Sequence, residues 1–101
     1  MQLTVSIGHR VDAERLADVL LDGRFAACVQ IIGPITSRFR WEDEIQHASE
    51  YLLFVKTTAD RADAATGAII EAHPYDVPEV LVTPVVGGHG PYLDWVREHV
   101  D

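Results

Sequence analysis

Residues 25–57 read FAACVQIIGPITSRFRWEDEIQHASEYLLFVKT, and this stretch decides the fold. Phe25 to Ile32 is a nearly continuous run of β-forming apolar residues, the pattern of a strand covered on both faces. Gly33-Pro34 interrupts it. Beyond the interruption Ile35, Phe39 and Trp41 share one parity while Arg38, Arg40 and Glu42 take the other, which predicts one long strand bent at Gly33-Pro34. Glu42-Asp43-Glu44 suits a hairpin tip, because aspartate tolerates positive φ better than most residues with a side chain. From Ile45 to Thr57 a second long strand returns, ending in Tyr51-Leu52-Leu53-Phe54-Val55. Ordinary strands have about five or six residues, so this hairpin should overhang a small core and leave edges for another subunit to pair.

The flanks supply the rest of the sheet and its helices. Leu3, Val5 and Ile7 alternate with Thr4 and Ser6, as in a half-buried strand. Asp12 then suits a helix N-cap, Ala13, Leu16, Ala17 and Leu20 follow at helical spacing, and Gly23 suits the left-handed position past a helix end. Ala62, Ala65, Ile69 and Ala72 predict a second helix, weakened by Gly67 and stopped by Pro74. Val80 to Val82 predicts a strand closed by Pro84, and Pro91 opens a short helix with Leu93, Val96 and Val100 on one side. The predicted class is α+β: a single ferredoxin-like βαββαβ domain over residues 1–101, with a long β-hairpin and a C-terminal helix.

Composition narrows the function. One core is expected in 101 residues, and a domain this small commonly adds buried area by oligomerising. The net charge of -8 repels a phosphate backbone, so no nucleic-acid partner is expected. No apolar run approaches the roughly 20 residues of a membrane helix, so no membrane partner is expected either. The lone cysteine, Cys28, and the lack of a basic-then-apolar leader predict a cytoplasmic protein.

Four motifs carry a family resemblance. Arg24-Phe25-Ala26-Ala27-Cys28-Val29-Gln30, with Ser37, Phe39 and Trp41, resembles the ALAACV and S-x-Y-x-W signatures of the CutA family. Glu50 with Lys56-Thr57-Thr58, then His73-Pro74-Tyr75-Asp76-Val77-Pro78-Glu79, then Tyr92-Leu93-Asp94-Trp95, resemble its remaining signatures in order and spacing. The resemblance implies a ferredoxin-like subunit, a homotrimer built from sheet edges and long hairpins, and a likeness to PII signalling proteins. It also implies a link to tolerance of copper and other divalent metal ions. The chain departs from the family at Gln30 in place of Asn, Phe39 in place of Tyr, and Asp43-Glu44 in place of Gly-Lys at the hairpin tip. The loop Gly8 to Val11 is also shorter than is common in the family.

Candidate metal ligands are His73, Glu79 and Cys28. Pro74 forces His73 out of helical geometry, and the loop that follows offers carboxylates, so imidazole with Glu79 suits Cu(II) or Zn(II). The plain alternative is that His73 caps the second helix. Cys28 is a soft ligand suited to Cu(I), although its apolar neighbours also fit a core filler. Lys56 and Glu79 are expected either to pair across the sheet or, with Arg24, Trp41 and Tyr75, to line a small-molecule pocket between subunits. Gly87-Gly88-His89-Gly90 lacks the Lys and Ser/Thr of a phosphate loop and reads as a connection. No nucleophile elbow and no paired acid and base are present, so no catalytic residue is named and a binding protein rather than an enzyme is expected. The two function classes left open are a trimeric copper-binding tolerance protein and a PII-like ligand-sensing or scaffold trimer with incidental metal binding.

Overall fold

In a computed structural model, which describes residues 1–101, the chain runs β1 (Gln2–Ile7), α1 (Arg10–Asp22), β2 (Cys28–Trp41), β3 (Glu44–Lys56), α2 (Ala62–Ala72), β4 (Val80–Thr83) and α3 (Gly90–Glu98). The strands form one antiparallel sheet in the order β2-β3-β1-β4, which is the ferredoxin-like arrangement. Leu3, Val5 and Ile7 pair with Val55, Leu53 and Tyr51, so these side chains share one face. They meet Ala13, Leu16 and Leu20 of α1 and Ala65 and Ile69 of α2 in a single apolar core. No helix is long and apolar enough to cross a membrane.

Several boundaries differ from the sequence reading for identifiable reasons. The helix α1 starts at Arg10 with His9 as N-cap, and Asp12 lies in the first turn, where a carboxylate complements the positive helix end. Gly23 has φ -80 and is not the left-handed residue; Arg24 takes that role with φ 57. Glycine is needed at 23 for room, since a Cβ there would lie 2.5 Å from the Phe25 ring. Phe25 and Ala26 precede β2 and close the turn, both amides bonding to the Leu20 carbonyl. Both faces of β2 were expected to be covered, yet it is an edge strand with α1 and α2 on one side only, and Ile32 on the other side is 42% exposed.

The hairpin is long, as its sequence predicts, with 14 residues in β2 and 13 in β3. Trp41 pairs with Glu44, leaving Glu42 and Asp43 as a two-residue turn with φ 52 and 63. Positive φ at both central residues is the type I′ geometry that matches strand twist. The pairing shifts register between Ile32 and Ile35, where Gly33 has φ 148. Because β1 ends opposite Tyr51, residues 44–50 of β3 have β2 on one side and no strand on the other. The overhang makes the molecule 45 Å long against 25 and 21 Å across.

Gly33 is fixed by both conformation and space, since a Cβ would lie 2.7 Å from the Tyr51 ring and 3.0 Å from the Glu50 carbonyl oxygen. Gly33→Ala is therefore expected to lower stability by about 1–3 kcal/mol. Chemical denaturation measures it, and a loss under about 0.5 kcal/mol, the level of an ordinary surface change, would mean that the bend relaxes freely.

Candidate functional site

The best-defined polar cluster lies where β1 ends and β4 begins. His73 sits just past α2, 7% exposed, released from the helix by the extended backbone that Pro74 imposes. Its Nδ1 accepts the Tyr75 backbone N–H at 3.1 Å, so the ring proton is on Nε2, which donates to the Ser6 carbonyl at 2.7 Å. The neutral tautomer is thereby fixed and neither ring nitrogen has a free lone pair. The Ser6 hydroxyl donates to Glu79 Oε1 at 3.3 Å, so His73 and Glu79 both anchor on Ser6. The Tyr75 ring lies 4.7 Å from the imidazole, and its hydroxyl donates to Glu50 Oε2 at 3.0 Å. Glu50 is itself only 7% exposed. Burial, the hydrogen bond to Glu50 and the Glu50 charge together push the Tyr75 phenol up to about 12.

Of the residues singled out in the sequence, His73, Tyr75 and Glu79 come together here, and Arg24, Trp41 and Lys56 do not. Lys56 bonds Gln2 Oε1 and lies 5.5 Å from the Phe54 ring centroid. It pairs with Gln2 in register, four residues along β1 from the Ser6 that holds Glu79, which is about 13 Å at the usual strand rise. The expected Lys56–Glu79 pair is therefore absent, because the two residues occupy opposite ends of β1. Arg24 instead holds the C-terminal end, with Nε 3.0 Å from Asp101. Trp41 is 57% exposed at the hairpin tip. Cys28 is half-buried, on the sheet face opposite α1 and α2, cross-strand from Lys56. The Tyr92 phenol is raised, first by burial and then by the nearby thiol.

These placements bear on metal binding. A metal ligand at His73 needs access from solvent, and the structure buries the residue. No group of three or more His, Cys, Asp or Glu side chains is placed to hold a metal ion. As arranged, His73 does not fit a cation unless its bond from Tyr75 is given up. Of the three candidate ligands, Cys28 alone is neither almost fully buried nor hydrogen-bonded to Ser6. Ser6 was missed in the sequence, because a serine in an alternating strand reads as an ordinary polar position. Glu50 stood in a motif without a role, and its signal was a carboxylate directly beside a dense apolar run.

A four-stranded antiparallel sheet with α1 and α2 on one face, and a histidine–tyrosine–carboxylate network at the end of β1, define a small α+β domain. The chain belongs to the CutA1 divalent ion tolerance protein family, which matches residues 1–99. It is 40% identical over 87 residues to the divalent-cation tolerance protein CutA of Thermus thermophilus, covering 86% of this chain and 84% of that one. It is 41% identical to Protein CutA of Homo sapiens over 85% of this chain and 48% of the relative, so it spans about half the length of the human protein. The structure of the periplasmic divalent cation tolerance protein CutA from Archaeoglobus fulgidus superposes with a TM-score of 0.95 at 33% identity, over 99% of this chain and 97% of that one.

The raised Tyr75 phenol has a consequence for alkaline stability. A tyrosine whose folded pKa of about 12 exceeds its ordinary 10.0 contributes stability that is complete below pH 10 and lost as pH rises towards 12. The melting temperature should fall across that window, and Tyr75→Phe should flatten the fall. An unchanged slope in the variant would show that the phenol is not held by Glu50.

Proposed function

We propose that the chain acts as a homotrimeric divalent-cation tolerance protein of the cytoplasm, binding copper or another divalent cation without catalysing a reaction. The observation that carries assembly is the overhang of β3, an unpaired strand edge seven residues long between Glu44 and Glu50. Such an edge is stable in solution when another chain covers it. Ile32 and Leu81, 42% and 57% exposed on the sheet face away from the helices, add apolar surface for the same contact. Family membership supports the link to divalent cations, and the half-buried thiol of Cys28 supports copper, since thiolates favour Cu(I). With one such ligand per chain, further ligands come from neighbouring copies, since His73 and Glu79 sit on Ser6 at the other end of β1 from Cys28.

A second reading is a ligand-sensing or scaffold trimer like the PII proteins, with metal binding incidental. The locked His73 favours it, because a histidine with both nitrogens bonded inside its own chain behaves as a structural element.

Three measurements test these readings. Light scattering at micromolar concentration should give three times the mass of one chain, and a monomer mass would sink the trimer. Competition with a chromophoric Cu(I) chelator should show Cys28→Ser weakening copper binding by more than about tenfold, the scale that even an outer-shell change reaches. His73→Ala should keep copper affinity and lose about 1–3 kcal/mol of stability, from the polar partners it strands. Loss of copper in His73→Ala alone would move the site to His73 and Glu79, and no loss in either variant would favour the scaffold.

A further inference from the structure

The chain has 8 Lys and Arg residues against 16 Asp and Glu, so a cation without a partner stands out. Arg10, Arg15, Arg24 and Arg97 are paired with carboxylates. Lys56 bonds the Gln2 side chain, and Arg61 lies 5.0 Å from the Phe25 ring centroid. Arg38 and Arg40, both exposed, are the two that make neither an ion pair nor an aromatic contact within the chain. Register places them on one face of the β2–β3 ribbon, with Arg38 opposite His47 and Arg40 opposite Ile45. Glu44 is opposite Trp41 and Glu50 opposite Ile35, so both of these acids belong to the other face. Glu42 and Asp43 lie in the turn beyond Arg40 and form no ion pair with it. An open cavity of about 340 Å³ is lined by the two arginines with Phe39 and Ile45.

We propose that this face binds a small organic phosphomonoester, with the phosphoryl group held between Arg38 and Arg40 and the organic part lying on Ile45. Two residues apart on one strand face, the arginines have their Cα atoms about 7 Å apart, close enough for both guanidinium groups to reach one phosphoryl group. Guanidinium and phosphate match through paired N–H···O bonds. Two fixed positive charges suit a dianion better than the single charge of a carboxylate, and a phosphomonoester carries close to two charges at neutral pH. His47, cross-strand from Arg38, adds a ring N–H donor on the same face. Ile45 is 63% exposed and offers apolar surface to the ester group. The ligand is compact, because the cavity lies at the small end of the range of about 300–1,000 Å³ for ligand sites. Glu42 and Asp43 act in the same direction, since they repel an extended polyanion running past the tip. A chain that pairs with the edge of β3 extends the ribbon in its own plane, so the assembly proposed above leaves this face open.

Phenyl phosphate is the probe, titrated by calorimetry at about pH 8 and low salt, where its phosphoryl group is a dianion. Wild type should bind it, and Arg38→Gln and Arg40→Gln should each weaken binding about tenfold or more, the scale of a lost hydrogen bond between charged groups. Arg10→Gln, which removes a guanidinium already engaged by Glu14, should bind like wild type. In proton NMR the His47 ring signals should move during the titration while those of His99 on α3 stay in place. Both arginines are exposed, so the variants should melt with wild type, and equal melting temperatures separate lost binding from lost fold. Inorganic phosphate should bind more weakly than the phenyl ester, and equal affinity would take Ile45 out of the site and overturn an organic ligand. Full affinity in the double variant Arg38→Gln/Arg40→Gln, or no binding by wild type, would overturn the proposal. A smaller assembly of that double variant in light scattering would do the same, because the arginines would then serve contact between copies.

Discussion

The pairing of Ile7 with Tyr51 is the last point at which β1 supports β3, and the rest of the structure depends on where it falls. On one side of that pair the sheet is four strands wide and backed by two helices. On the other it is a two-stranded ribbon. Glu50 is the first residue past the pair and is already buried. Its carboxylate takes its hydrogen bond from Tyr75, a residue of the connection after α2. Burying a carboxylate without a donor is costly, so the Tyr75 loop is held against the sheet where β1 stops. Gly8 belongs to the same arrangement, since a Cβ there would lie 2.9 Å from the Tyr75 hydroxyl.

His73 completes this junction from the helix side. The ring bridges the Ser6 carbonyl of β1 and the Tyr75 amide, two backbone groups that neither helix nor sheet satisfies. The buried members, Ser6, Glu50 and His73, are each hydrogen-bonded, and buried polar groups that are fully bonded fix a unique arrangement. The imidazole acts here as a pair of hydrogen bonds in place of missing secondary structure.

Much of this was legible in the residues, and the exceptions have physical causes. The alternation around Phe39 and Trp41, the break at Gly33-Pro34 and the acids at the tip specified the hairpin, because each signal is local. The positive φ of Arg24 was hidden by the adjacent glycine, which serves the Phe25 ring instead. Pairing Lys56 with Glu79 failed because strand order, not strand sequence, decides which ends meet. His73, Tyr75 and Glu79 were found as a group because one proline-braced loop carries them. Ser6 and Glu50 joined them only through the sheet, a relation of 67 residues for Ser6 and His73. Cys28 read as enclosed because its neighbours are apolar, yet on an edge strand it is only half-buried, with Tyr92 of α3 beside it.

The sheet order has a bearing on how the chain is made. The first strand to leave the ribosome, β1, lies between β3 and β4, and its partners are residues 51–56 and 80–83. The hairpin of β2 and β3 is local and forms early, whereas β1 must wait for most of the chain before both its edges are filled. Non-local pairings of this kind slow folding and leave apolar edges exposed meanwhile. The Thr57 amide donates to the Met1 carbonyl at 3.2 Å, and that bond can close only once β3 has been made.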